Sequence, residues 1–281
     1  MNNMKIIALL LSLCILTSCI ASKVKKPLAN SENKQTEEFQ KQASIAEAEH
    51  NYAAALESYI KLKELQPNSD DIKLKLADCY RLTGNCGNAK EIYAELLQKE
   101  SISSNQENAV YLHIFEAVGM CMIQDGEYAD AIDALSSIFE IDAMRWRTVN
   151  ALGVAYALSG NNQESEKYFQ LALALETDQY IVYNNMALAS AFAGKYEDAI
   201  KHQKQAIMLT SDKNQNFERL ELNLALLFGL SGKMSEAEEI LRKYLAEDKV
   251  QNNLKYYAHL HKNASESQDL LKKSLGAVNS N

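Results

Sequence analysis

The hydrophobic rhythm of the chain changes twice. Ile6 to Leu16 is an apolar stretch of eleven residues behind a single positive charge, Lys5. It is too short to cross a bilayer as a helix, which takes about 20 residues, and it has the length of a signal-peptide core. Residues 20–36 carry no apolar periodicity and read as a flexible tether. Beyond them, apolar positions recur three and four apart in segments of helical length, broken by short Gly-containing turns. That pattern predicts helices that each bury one face. Val250 to Tyr257 begins a further helix outside the preceding period, capping the last apolar face, and Asp269 to Leu275 suggests another short one.

The turns keep a period. Gly84, Gly126, Gly160, Gly194 and Gly232 are 42, 34, 34 and 38 residues apart, and each is followed five residues later by Ala89, Ala131, Ser165, Ala199 or Ala237. His50 stands 34 before Gly84, with Ala55 in the small position. The clearest copies read Leu152-Gly153-Val154-Ala155-Tyr156, then Gly160, Ser165, Phe169 and Ala172, and next Met186-Ala187, Gly194, Tyr196 and Ala199. This resembles the tetratricopeptide repeat. The resemblance implies an all-α solenoid of about six helical hairpins in a right-handed superhelix. A hairpin cannot bury its apolar face alone, so neighbours stack, and the small residue after each turn lets the two helices approach closely. Ser190 stands where Tyr156 stands one repeat earlier, a departure that bears on packing.

Leu16-Thr17-Ser18-Cys19 resembles a bacterial lipobox. It implies a signal peptide over 1–18 and Cys19 as mature N-terminus, carrying diacylglycerol and an N-acyl chain, with no other cofactor. The remaining organisation is a tether over 19–36, a repeat array over 37–247, and capping helices with a tail over 248–281. Ile20 in place of Asp implies outer-membrane sorting under the enterobacterial rule. With Cys14 and Cys19 assigned, Cys79, Cys86 and Cys121 remain. Cys79 and Cys86 bracket the Thr83-Gly84-Asn85 turn and form a possible disulfide in an oxidising compartment, leaving Cys121 free. The alternative is that all three are buried as small hydrophobes.

Composition narrows function mostly by exclusion. Lys plus Arg gives 29 and Asp plus Glu 37, a net charge of −8, which argues against a nucleic-acid backbone as partner. Two Pro and ten Gly disfavour an all-β chain built on many tight turns. No phosphate loop or hydrolase signature occurs, and the five His are scattered, with His259 and His261 on different helix faces. No metal site, catalytic residue or small-molecule substrate is expected.

A binding surface remains. A stripe on the first helix of each hairpin, offset from the packing face, reads Arg147, Asn150, Val154 and Ala157, then Ile181, Asn184, Leu188 and Ala191, then Arg219, Leu222, Leu226 and Gly229. It is expected to line an open, concave groove with room for a partner segment. Asn185 and Asn223, one position further on, resemble the asparagine ladder of some tetratricopeptide proteins, and inter-helix contacts are the alternative role for these Asn. The order of lipobox, repeats, the Asn-Asn-Met-Ala-Leu-Ala run at 184–189, the Leu-Asn-Leu-Ala-Leu run at 222–226 and the V-x-N-N-L-x-Y-Y-x-x-L pattern from Val250 to Leu260 is similar to the tetratricopeptide lipoproteins of tight-adherence (Flp, type IVc) pilus systems, the TadD type. That resemblance implies a non-enzymatic, pilotin-like factor at the outer membrane, facing the periplasm. Its partner would be the pilus secretin or a neighbouring assembly component. The competing reading is a general envelope scaffold for cell-wall enzymes or outer-membrane protein assembly.

Overall fold

A computed structural model describes residues 33–175, 179–210 and 216–278. The expected signal peptide and Cys19, the expected lipidation site, lie outside the described residues. Of the expected tether, residues 33–36 are already helical and Thr36 is buried, so the folded part starts earlier than the apolar pattern suggests. Every regular element among the described residues is a helix, and none of these helices is long and apolar enough to cross a membrane.

The chain forms two compact units, divided between Thr83 and Gly84. The first holds α1 (33–48), α2 (Tyr52–Leu65) and α3 (Asp70–Leu82). α2 packs on α3, and Lys75 of α3 reaches Glu47 of α1 at 3.3 Å. Asn51 and Ser69 cap α2 and α3 by accepting from the backbone N–H groups of Ala54 and Ile72, donors that the first turn of a helix otherwise leaves unpaired.

The second unit opens with α4 (Cys86–Leu97) and a one-turn α5 (Glu100–Ser103) inside the longer connection. Four hairpins follow: α6 (Ala109–Asp125) with α7 (Tyr128–Ile141), α8 (Trp146–Leu158) with α9 (Asn162–Leu175), α10 (Tyr180–Phe192) with α11 (Tyr196–Met208), and α12 (Phe217–Leu230) with α13 (Met234–Tyr244). The helices of each pair pack together, and α7 and α11 lean on the first helix of the next pair. This is the tetratricopeptide solenoid that the sequence predicts.

The period is visible at the level of single hydrogen bonds. In the turn after α6, Gly126 has φ +85°, a left-handed conformation that L side chains enter at a cost, and Glu127 N–H donates to Met122 O at 2.9 Å. The same six-to-one bond closes the next turns, from Asn161 to Tyr156, Lys195 to Ser190 and Lys233 to Phe228. In the first unit His50, at φ +51°, takes the glycine's place, and Asn51 donates to Ala46 O.

Close approach within a hairpin comes from two small residues, one on each helix. Ala131, Ser165, Ala199 and Ala237 are all buried. On the facing helix a Cβ placed on Gly153 would stand 2.7 Å from the Phe169 ring, and one on Gly119 would stand 2.8 Å from the Leu135 side chain. The Tyr156 position has a matched partner twelve residues on. Tyr156 stacks on Tyr168 with centroids 5.3 Å apart, whereas Ser190 meets His202 Nδ1 at 3.3 Å.

The carboxy-terminal part is where the structure departs most from the pattern. α14 (Glu247–Lys262) packs on α12 and α13 and sets Tyr257 against Gly229. α15 (Ala264–Val278) is twice the expected seven-residue helix and does not extend the stack. It folds back across α10, α8 and α6, the first helices of three successive hairpins.

Candidate functional site

The stripe predicted to bind a partner lies on α8, α10 and α12, which with α6 form the inner helix layer of the second unit. Its accessibility differs from the expectation. Val154 is 0% exposed and Leu188 is 1%, with Asn150, Asn184 and Asn185 also buried. These positions are closed core, not an open groove. Two kinds of packing close them: the inner helices lie directly against one another, and α15 crosses them. Leu271 and Leu275 of α15 belong to the same apolar cluster as Val154 and Leu188. Solvent still reaches the stripe at Arg147, at half-buried Ile181 on α10, and along part of α12. Arg147 is exposed, with its guanidinium carbon 4.7 Å from the Trp146 ring centroid, and Arg219, Leu222, Asn223 and Leu226 are half-buried on α12.

The asparagines join helix to helix. Asn185 Nδ2 donates to Asn150 Oδ1 at 3.1 Å, tying α10 to α8, and Asn223 Nδ2 donates to Asn184 Oδ1 at 2.9 Å, tying α12 to α10. α10 uses two adjacent asparagines for this, Asn185 as donor toward α8 and Asn184 as acceptor from α12. Of the two roles open to them in the sequence, the structure gives the inter-helix one. Asn184 Nδ2 and Asn185 Oδ1 have no partner among the described residues. Neither has Arg219 Nε, and burial lowers that guanidinium's pKa from its ordinary value.

A polar tie between α6 and α8 was missed in the sequence. Glu116, 4% exposed, accepts from Thr148 Oγ1 at 2.6 Å and from Arg145 Nε at 3.3 Å. An acid in mid-helix followed 32 residues later by Thr carries no motif. Only the repeat offset, which sets Glu116 opposite the next hairpin's first turn, could have pointed to it.

The cysteines are also arranged differently. Cys86 is bonded to Cys121, with Cα atoms 5.3 Å apart, and Cys79 is free and buried. The possible Cys79–Cys86 pairing is thereby corrected, with Cys121 bonded and not free, and of the three cysteines Cys79 takes the alternative role of a buried small hydrophobe. Closeness in sequence misleads because Cys79 lies within α3, while Cys86 begins α4, which packs on α6. Burial, with Glu47 nearby, pushes the Cys79 thiol up to about 12, so it holds its proton and stays inert. Among the described residues no group of three or more His, Cys, Asp or Glu side chains could hold a metal ion.

Comparison with known proteins gives the same architecture. The tetratricopeptide repeat family matches at residues 147–179 and 180–213. The structure is similar to that of a thermophilic TPR protein of Thermus thermophilus, at 16% identity and a TM-score of 0.56, over 69% of this chain and 98% of that one. Weaker likenesses are to Pseudomonas aeruginosa pilF (18% identity, TM-score 0.47, 79% of this chain and 97% of that one) and to MamA (19% identity, TM-score 0.42, 59% of this chain and 93% of that one). No curated protein matches by sequence. The chain carries tetratricopeptide repeats, a scaffold for protein–protein interaction, and no enzyme family is indicated.

Proposed function

We propose that this chain is a lipid-anchored, non-enzymatic assembly factor of the bacterial envelope, serving a tight-adherence-type pilus. Its partner is the outer-membrane secretin or a component beside it, whose localisation or multimerisation it promotes. The observation that carries the reading is the succession along one chain of the Leu16-Thr17-Ser18-Cys19 lipobox, the hairpin array and the Val250 to Leu260 segment. Acyl chains at Cys19, each worth ~0.8 kcal/mol per buried CH₂, would hold the array against a membrane, and the tether would give it reach. The Cys86–Cys121 bond supports the same reading, since disulfides persist in oxidising compartments such as the periplasm.

Two experiments test the parts separately. Cys19→Ser should abolish incorporation of a palmitate analogue and leave precursor or mislocalised protein; equal labelling of the variant would refute the anchor. A photo-crosslinker placed at exposed Arg147 or half-buried Leu226 in living cells should capture the secretin or its neighbour. Recovery of cell-wall enzymes or outer-membrane assembly proteins instead would replace the pilus reading with a general envelope scaffold.

A further inference from the structure

α15 is the one long helix of the second unit that neither the repeat nor the cap explains. It belongs to no hairpin, and α14 already covers the end of the stack with Val250, Tyr257 and Leu260 buried. Only Asn263 separates the two helices. Along α15 the residues Ser267, Leu271 and Leu275, spaced by four, are 2%, 0% and 0% exposed, while Glu266, Gln268, Asp269, Lys272 and Lys273 face solvent. At Gly276 the helix lies against α6: a Cβ there would stand 3.6 Å from the Gln124 Cα, in ordinary contact, which leaves room for a small side chain. Lys272 Nζ stands 5.3 Å from the Tyr128 ring centroid. This is the geometry of an amphipathic helix laid in an apolar groove, read through anchors one turn apart.

We propose that the inner face of α6, α8 and α10 is a helix-docking site, that α15 is its resident and displaceable ligand, and that the protein's partner docks there by presenting an amphipathic helix of the same kind. The pattern it must offer is two leucines four residues apart, with a small residue one turn before the first and immediately after the second. Release of α15 opens no hairpin turn and breaks neither the α14 cap nor the Cys86–Cys121 bond. A short connection gives a tethered ligand an effective concentration in the millimolar range. A site that binds such a helix with a Kd of about 0.1 mM would therefore be occupied by α15 roughly nine-tenths of the time, and a partner of higher affinity would displace it. The proposal rests on the protein-binding reading above but not on the identity of the pilus partner.

The test has two arms on the full chain. In hydrogen exchange of the wild-type protein, α15 amides should exchange at least tenfold faster than those of α8 and α10, through an opening that leaves the hairpins protected. Exchange of α15 only together with α8 and α10 would make it fixed core and overturn the proposal. In the second arm, a fluorescent peptide with the sequence of residues 262–279 is titrated to about 1 mM. It should bind the Leu271→Asp, Leu275→Asp double variant at least tenfold more tightly than wild type, and the peptide bearing the same two changes should bind neither protein. Equal binding to both proteins, or to neither, would overturn the proposal. If the double variant does not fold, the wild-type exchange pattern alone decides. Failure to crosslink a secretion component would leave these outcomes unchanged.

Discussion

At the residue scale, two glycines seven positions apart test two different physical demands. Gly160 sits in the turn after α8 at φ +84°, and a Cβ there would meet nothing within 4 Å. Gly160→Ala should therefore cost about 1 kcal/mol through backbone strain alone, unaffected by neighbouring substitutions. Gly153 is helical, and its missing Cβ is where the Phe169 ring lies. Gly153→Ala should cost about 1–3 kcal/mol by overpacking, and Phe169→Leu should relieve part of that loss. Urea denaturation of the two single variants and the double variant would separate strain from crowding. Burial also raises the Tyr257 phenol to about 12, against about 10 for a solvated tyrosine. As pH rises from about 10 toward about 12, the unfolded chain loses this proton first, so stability present below pH 10 is lost across that interval. Tyr257→Phe should flatten the alkaline fall in the urea midpoint; an unchanged slope would assign the fall to other groups.

At the element scale, contacts between successive first helices separate positions that share a stripe. Leu188→Glu puts a carboxylate where α10 is closed, and it should destabilise the second unit by about 3 kcal/mol or more unless the side chain neutralises. Leu226→Glu, half-buried on α12, should be tolerated within about 1 kcal/mol. Equal melting temperatures for the two variants would restore the open groove that the sequence suggests. The disulfide joins cysteines 35 residues apart, tying α4 to α6 across the α5 connection. A loop of that length corresponds to about 3–4 kcal/mol in the chain-entropy account, so reduction should lower the melting temperature of the oxidised protein. Peptide mapping without reductant should yield a Cys86–Cys121 peptide; recovery of Cys79–Cys86 would reverse the assignment.

At the scale of the whole molecule, the solenoid is held together by polar ties as well as by apolar stacking. Glu116 with Thr148, Asn150 with Asn185 and Asn184 with Asn223 join α6, α8, α10 and α12 in succession. Each tie raises the cost of separating one hairpin from the next, because the buried partner left behind would be unsatisfied. α15 then spans three of these helices from outside the repeat. A layer that is closed by one of its own helices meets a partner by exchange, which links the accessibility of the binding face to the stability of a single element.

The sequence by itself determined what recurs: the hairpin, its turn, its small-residue contacts and the 34-residue period linking Gly126, Gly160 and Gly194. Each depends on residues within one repeat of each other, and a contact repeated along the chain leaves a repeated mark. Tertiary structure decided what happens once. Val154 and Leu188 have the same apolar character on an open face as in a closed one, and helical spacing does not record what covers them. The Ser267, Leu271 and Leu275 stripe shows that α15 buries a face, but only its fold-back shows that the face lies on α10, α8 and α6. Cys86 reaches Cys121 because α4 packs on α6, a meeting that depends on the stacking of elements and not on the distance between the two residues along the chain.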